Sequence, residues 1–467
     1  MILLIQALPL LALVVLLGTG RASAPVACAV ALLLTLPAAV IAIPAGAEAG
    51  AWIGAYVGRS AGEGLWLAAI PVGIVLGGLV FQDATARRVA PTAGERPVDT
   101  LFTGAFLLGG FTEAVTGFGV GSVFALAAFR RVGVTGTAAA AIALFSQLLI
   151  PWGGLGPGTA VGAALAGVVP QELASRNALI LAVELPLLLP LFWHLCKVAG
   201  HPVAGRQRVE QLAWLLAEGG LLVAAHRMVP WEVCGLLATG ITLAARLLIA
   251  DPPRDRAGWR AALRGAAPYL LLAGALLASR LWHQAPAIAP FPGLPALPLN
   301  HAVVNLWLVA LALAAVHGTR PAAVLVTLRR GLRPALALLM FVLLARFLAH
   351  AGVPQALAMA LAGGFGAAAP FAAPLLAGAA GFFAGSNVGS NSAMMPLQAE
   401  LGRVAGLGPL VLPAIQNGTL FLLLSPQVCA IASGLAGGGA TPRGIWRLSW
   451  PIFPLAIAVG VAFVAFS

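Results

Sequence analysis

Residues 385–398 read GSNVGSNSAMMPLQ, a run of glycine, serine and asparagine set in a chain that is 61% hydrophobic and only 9% charged. In hydrocarbon an unpaired N–H or C=O costs several kcal/mol. Two Gly, three Ser and two Asn within 385–392 therefore persist at membrane depth only where protein, water or a solute satisfies them. The stretch predicts a broken helix lining a route for a solute, which makes a transporter the first hypothesis.

The rest of the chain agrees with that reading. Its 467 residues would suggest about three soluble domains at ~150 residues each, but a mean hydropathy of +0.99 overrides that expectation. Apolar runs of the ~20 residues needed to cross a bilayer follow one another, broken by short loops holding Pro, Gly or Arg. The predicted fold is an all-α polytopic membrane protein, a single integral domain over 1–467, with roughly twelve to fourteen spans or half-spans. The net charge of +12 comes almost wholly from arginines scattered in loops, which fits cytoplasmic loop enrichment and implies no nucleic-acid partner. Cys28, Cys196, Cys234 and Cys429 lie far apart in or beside apolar runs and read as buried free thiols, with no metal site. The first nineteen residues lack a basic leader and read as a retained first helix. Trp52, Trp66, Trp152, Trp231, Trp259, Trp282 and Trp446 read as interfacial anchors. His194, His226, His283 and His317 read as interfacial side chains at span ends.

Arginine clusters at Arg87, Arg88 and Arg96, at Arg130 and Arg131, around Lys197 to Arg208, at Arg254 to Arg264, at Arg320 to Arg333 and at Arg443 and Arg447 are expected inside. The Pro-rich segment Ala285 to Pro298 is expected outside. Residues 100–129 then connect two inside clusters. One helix of that length would be ~45 Å long and end on the wrong side, and two full crossings need ~40 residues. A re-entrant hairpin broken among the glycines of Gly109 to Gly121 resolves the conflict, with Glu113 and Thr116 at its tip; a single tilted helix with Arg130 outside is the alternative. A second hairpin is expected from Ala373 to Phe383, a break at GSNVGSNS, and a returning arm at Ala393 to Leu401. Each is followed by an apolar helix with polar residues, IALFSQLLIPWG and LPAIQNGTLFLLLSPQ. This is a weak internal repeat, with halves near 1–230 and 260–467, of the kind that places discontinuous helices at a shared midplane site.

The stretch TEAVTGFGVG at 112–121 resembles the E-G-x-A-G-F-G segment of the lactate permease family, and GFFAGSNVGSNSAMMPLQ at 381–398 resembles that family's Ser-Asn segment ending in Leu-Gln. Further similarity runs through 260–272, 337–352 and 420–432, about the last three-quarters of the chain. Val120, Gly121 and Ser122 depart from the family's small residue and proline after Gly-Phe-Gly, which makes this a somewhat divergent member. The resemblance implies proton-coupled uptake of lactate or glycolate.

The residues suit a carboxylate substrate on their own chemistry. Broken helices present free backbone N–H groups and a favourable dipole, and Ser386, Asn387, Ser390, Asn391 and Ser392 add neutral donors that exchange readily with water. Serine and asparagine also bond neighbouring helices in membrane bundles, the plainer role. Gln398, which closes the resembling segment, joins the expected binding set, as do Thr116, Gly117 and Gly119 beside the first break. Glu113 is the candidate for proton coupling, since an intramembrane acid can load and release H⁺ as access alternates; a neutral acid bonded to a backbone carbonyl is the alternative. Arg346, four residues before His350 on one helical face, and Gln147, Gln416 and Asn417 are further candidates. Glu184, among apolar neighbours, reads as structural. No cofactor or metal is expected, and no feature points to a particular oligomeric state.

The expected function is secondary active transport, not an enzyme: H⁺-coupled uptake of a small 2-hydroxy monocarboxylate (L-lactate, with D-lactate and glycolate as variants) by a multi-pass permease of a bacterial-type inner membrane. A Na⁺-coupled organic-anion carrier is the alternative within transport. An intramembrane enzyme would need convergent acids or His/Asp pairs that the sequence does not offer near Glu113.

Overall fold

The computed structural model describes residues 2–85, 96–117, 119–250 and 252–467. Arg87 and Arg88 of the first arginine cluster, Phe118 of the first hairpin and Asp251 at the expected boundary between halves lie outside the described residues. Among the described residues seven helices are long and apolar enough to cross a membrane: Ala24–Ile41, Ala49–Thr85, Pro170–Val198, Trp231–Ala250, Arg256–Ser279, Pro321–His350 and the run Val353–Ala384. Two bent pairs, Val411–Leu424 with Pro426–Ala436 and Pro442–Ser449 with Ile452–Ala465, raise the spans to as many as nine. Four shorter apolar helices accompany them. The twelve to fourteen spans or half-spans expected from hydropathy thus divide into full crossings and fragments, because many apolar runs are interrupted by glycine and proline. The Pro-rich segment Ala285 to Pro298 carries a two-residue antiparallel ladder, Ala287–Ile288 on Leu297–Pro298, and Pro295 accepts a bond from the Trp66 indole at 2.9 Å.

The segment from 97 to 131 is a helical hairpin. Pro97–Phe102, a π-helical turn at Thr103–Leu108 and Gly109–Thr116 form the entering arm, and Val120–Arg131 returns. The break is shorter than expected: the entering arm ends at Gly117 and the returning arm starts from Gly119, which hold φ of 69° and 79°, values that glycine adopts without steric cost. The remaining glycines serve packing. A Cβ on Gly121 would lie 2.4 Å from the Gly109 carbonyl oxygen, so the two arms touch backbone to backbone. At the base, Arg246 ion-pairs with Glu210 and Asp99 and donates to Thr103 at 3.3 Å, tying the entering arm to two neighbouring helices.

The second hairpin is Ala373–Ala384 returning as Asn387–Val404. Here the expected eight-residue break is corrected to two residues, Gly385 and Ser386. Gly385 ends the first arm at φ 62°, and the Ser386 hydroxyl accepts the Gly389 N–H at 3.0 Å as an N-cap. Two residues suffice because a left-handed glycine followed by a serine cap satisfies the end of one helix and the start of the next. Asn387 to Ser392 are therefore helical, in the first turns of the returning arm. Both hairpins are followed by a broken span. The first runs Gly136–Ala143, Leu144–Gln147, Ile150–Leu155 and Pro157–Ala166, with non-helical backbone at Gly153 and Gly154; the second runs Val411–Asn417, Leu420–Leu424 and Pro426–Ala436.

Three expectations about interfacial side chains, Trp152, Trp231 and His226, are corrected. Trp152 is 1% exposed and its indole donates to His226 Nε2 at 3.3 Å, so neither is an interfacial side chain; both are packed where Trp231, also buried, meets the first broken span. The four cysteines are free and buried.

Candidate functional site

Both hairpin tips open on one cavity of about 440 Å³. Glu113, Gly117 and Gly119 come from the first tip and Gly385, Ser386 and Asn387 from the second. Gln147, Gly153 and Gly158 come from the first broken span and Gln427 from the second, with Phe341 and Leu338 of Pro321–His350 as an apolar wall. Among the described lining residues Glu113 is the one ionisable group. Four helix N-termini reach the cavity, those of Val120–Arg131, Pro157–Ala166, Asn387–Val404 and Pro426–Ala436. The first N–H groups of a helix have no intrahelical partner and carry partial positive charge, so this wall favours an anion without any cationic side chain.

Glu113 reaches across the first break. Its two carboxyl oxygens accept the Gly119 N–H at 3.1 Å and the Gly121 N–H at 3.0 Å, so the side chain of one arm caps the N-terminus of the other. An ionised carboxylate accepts both bonds strongly, whereas a protonated one accepts more weakly, most of all at its hydroxyl oxygen, and the tip loses part of its closure. Thr116, beside it, turns inward and donates to the Thr112 carbonyl at 2.6 Å. Gln147 lines the cavity and donates to Ser122 Oγ at 2.8 Å, and Ser122 meets Ser146 at 3.1 Å.

Behind the second tip lies a buried amide network. Asn417 Oδ1 accepts from Asn391 at 2.7 Å and from Asn387 at 3.3 Å; Asn417 Nδ2 donates to Asn177 Oδ1 at 2.7 Å and to Thr159 Oγ1 at 2.9 Å. Asn391 also donates to the Gly158 carbonyl at 2.9 Å, and Gln416 donates to Ser390 at 2.7 Å. The network fits because Gly158 and Gly162 have no side chain: a Cβ there would stand 2.6 Å from Asn387 Nδ2 and 2.8 Å from Asn391 Nδ2. Asn387 Oδ1, Asn391 Oδ1, Gln416 Oε1, Ser392 Oγ and Gln398 Oε1 are buried with no protein partner among the described residues. Each such group costs about 1–3 kcal/mol, a concentration expected of a binding region rather than of a structural seam.

The structure thus brings Glu113, Gly117, Gly119, Ser386, Asn387 and Gln147 to one cavity. It places Ser390, Asn391, Gln416 and Asn417 behind it, holding the second hairpin to the broken spans. Gln398 lies at the far end of the hairpin and donates to the Ala373 carbonyl at 3.0 Å. Arg346 is elsewhere: it ion-pairs with Glu63, which also takes Arg59 Nε at 2.7 Å and His350 at 3.3 Å, in a cluster between Ala49–Thr85 and Pro321–His350. Sequence reasoning missed Asn177, Thr159, Ser122 and Gln427. The signal for Asn177 and Thr159 was present, since each is a polar side chain within an apolar helix, but only the fold shows that both meet Asn417.

A bundle of apolar helices in which two re-entrant tips and two broken spans enclose one polar-ended cavity defines a multi-pass membrane transporter. Residues 300–443, a little under a third of the chain, match the family described as L-lactate permease. The matched segment holds the second hairpin and the second broken span, while the resemblances at 112–121 and 260–272 lie outside it. No curated protein matches the chain. Among solved structures, the Alcanivorax borkumensis YdaH transporter, described as revealing an unusual topology, is similar over 95% of this chain and 98% of that one, at 16% identity and a TM-score of 0.48.

Proposed function

We propose that this protein is a proton-coupled permease for a small 2-hydroxy monocarboxylate, L-lactate first, with D-lactate and glycolate as variants, acting in a bacterial-type plasma membrane. The observation that carries this reading is the single cavity shared by both tips, whose one ionisable lining residue is an acid. Its volume falls within the ~300–1,000 Å³ of small-molecule sites. The substrate carboxylate takes the N–H groups at the start of Asn387–Val404, with Ser386 and the Gly117 and Gly119 backbone nearby. The 2-hydroxyl donates to an unpartnered amide oxygen, Asn387 Oδ1. Ser390, Asn391, Ser392, Gln398, Thr116, Gln416 and Asn417 hold these contacts in place.

Glu113 supplies the coupling. Proton loading weakens its cap on Gly119 and Gly121, and release restores it, so proton occupancy and the first tip's geometry change together. The segments 1–230 and 260–467, each with one hairpin and one broken span, act as halves that rock about the cavity to alternate access. A sodium-coupled carrier is the second reading, favoured by the same unpartnered amide oxygens, which also suit a hard cation.

The test is uptake of radiolabelled L-lactate into proteoliposomes under an imposed inward H⁺ gradient, with a Na⁺ gradient in parallel. Accumulation that needs the H⁺ gradient and collapses with an uncoupler is expected. Glu113→Gln should keep lactate exchange and lose pH-driven accumulation. Accumulation under the Na⁺ gradient alone would replace the proton reading with the sodium one.

A further inference from the structure

One buried acid has no place in the cavity. Glu184, near the middle of Pro170–Val198, is 4% exposed, and among the described residues it makes no hydrogen bond or ion pair. It lines a separate crevice of about 20 Å³, room for about one water molecule. Gly418, Thr419 and Leu420 form the opposite wall, where the second broken span leaves helical geometry, and Ile415, Pro374 and Gly460 complete it. The Thr419 hydroxyl is the one polar side-chain group besides Glu184 among the described lining residues.

This setting separates two roles for the acid. A carboxylate left ionised here would be a buried charge with no compensating donor or cation, which is far costlier than a neutral acid. The packed helices Ala373–Ala384, Val411–Asn417, Leu420–Leu424 and Ile452–Ala465 carry no titratable side chain. On its own helix Arg176 and His194 stand two or more turns away, and Glu218 packs on the Ala182 side, where Gly219 approaches Ala182. Backbone groups of the break apart, one hydroxyl and about one water are the polar company the crevice offers the acid, and a volume of about 20 Å³ leaves little room for a metal cation with its shell of oxygens.

We propose that Glu184, in the crevice behind the break at Gly418–Thr419, is a second proton-binding site of this protein, distinct from the cavity lined by Glu113. The step is a proton transfer: a hydronium ion at the crevice water position gives one proton to a carboxylate oxygen, its O–H bond breaks as the acid's O–H bond forms, and a neutral acid and a neutral water remain. The break is the element that controls it. Asn417, one residue before Gly418, bonds Asn387 and Asn391 of the second hairpin, so movement of that hairpin shifts the crevice wall and admits or expels the water through which the proton leaves.

The experiment is pH-difference infrared spectroscopy of the full-length protein in a bilayer, following carboxylic-acid carbonyl bands as pH is raised. The wild type is expected to lose a band that is missing from Glu184→Gln and retained in Glu113→Gln. Superimposable wild-type and Glu184→Gln spectra would make Glu184 a permanently neutral structural acid and overturn the proposal. Disappearance of its band on adding NaCl at constant pH, with choline chloride inert, would overturn it in favour of a metal-cation site. Should Glu184→Gln fail to fold, Thr419→Val takes its place: removal of the crevice hydroxyl shifts the Glu184 band, and an unshifted band counts against the site. None of these readings uses lactate, so they stand or fall separately from the transport assignment.

Discussion

Replacing Asn417 by alanine removes the hub of the buried amide network and should separate stability from function. Asn417 bonds four side chains, Asn387, Asn391, Thr159 and Asn177, and is itself fully buried. Interhelical hydrogen bonds in membrane proteins average about 0.6 kcal/mol each, which for four gives roughly 2 kcal/mol. The loss also strands Asn177 Oδ1, whose bond to Asn417 is its one bond among the described residues; an unpaired buried acceptor adds about 1–3 kcal/mol. Asn387→Ala should behave differently, because its two bonds are both 3.3 Å long and its side chain borders the cavity. The four free, buried cysteines supply the assay: a thiol-reactive fluorogenic maleimide reports unfolding in detergent as they become exposed. Asn417→Ala should unfold several degrees below wild type, while Asn387→Ala stays near wild type yet loses uptake. An Asn417→Ala protein that unfolds with the wild type, or an Asn387→Ala protein that transports normally, would refute the division of labour between hub and site.

Other substitutions test the packing that shapes the site. Gly121→Ala places a methyl against the Gly109 carbonyl and should destabilise the first hairpin by about 1–3 kcal/mol, read as a lowered unfolding temperature and lost uptake; Gly58→Ala, at a helical glycine where a Cβ meets nothing, is the control. Arg346→Ala should destabilise the protein by leaving Glu63, whose side chain is 4% exposed, short of a partner, and the double variant with Glu63→Ala should recover part of the loss in a double-mutant cycle. If Arg346 touched substrate instead, the double variant would regain stability but not the half-saturating lactate concentration. Arg246→Ala unties the base of the first hairpin from Glu210 and Asp99; because those partners are part-exposed, a loss of only about 1–2 kcal/mol is expected in the same unfolding assay.

The sequence by itself determined the class of fold and the stretches within which both breaks fall. Mean hydropathy required a bundle in a bilayer, and the charge conflict across 100–129 favoured a hairpin over one tilted helix. The glycines of 109–121 and the Gly-Ser-Asn run at 385–392 marked those stretches, since left-handed backbone and N-caps are local properties of such residue types, while the structure narrowed the breaks to Gly117 and Gly119 and to Gly385 and Ser386. It also singled out Glu113, because an acid within an apolar run is visible without a structure. Tertiary structure decided what local chemistry cannot: that the two tips, more than 250 residues apart, face one cavity, that Glu113 caps the opposite arm, and that Asn417 gathers partners from three other helices. It also moved Arg346 from candidate site to ion pair and Trp152 from interface to core. Those outcomes depend on which helix faces which, and the small residues that permit such approaches, Gly158 and Gly162 above all, carry no chemical signal of their own until the neighbour they admit is known.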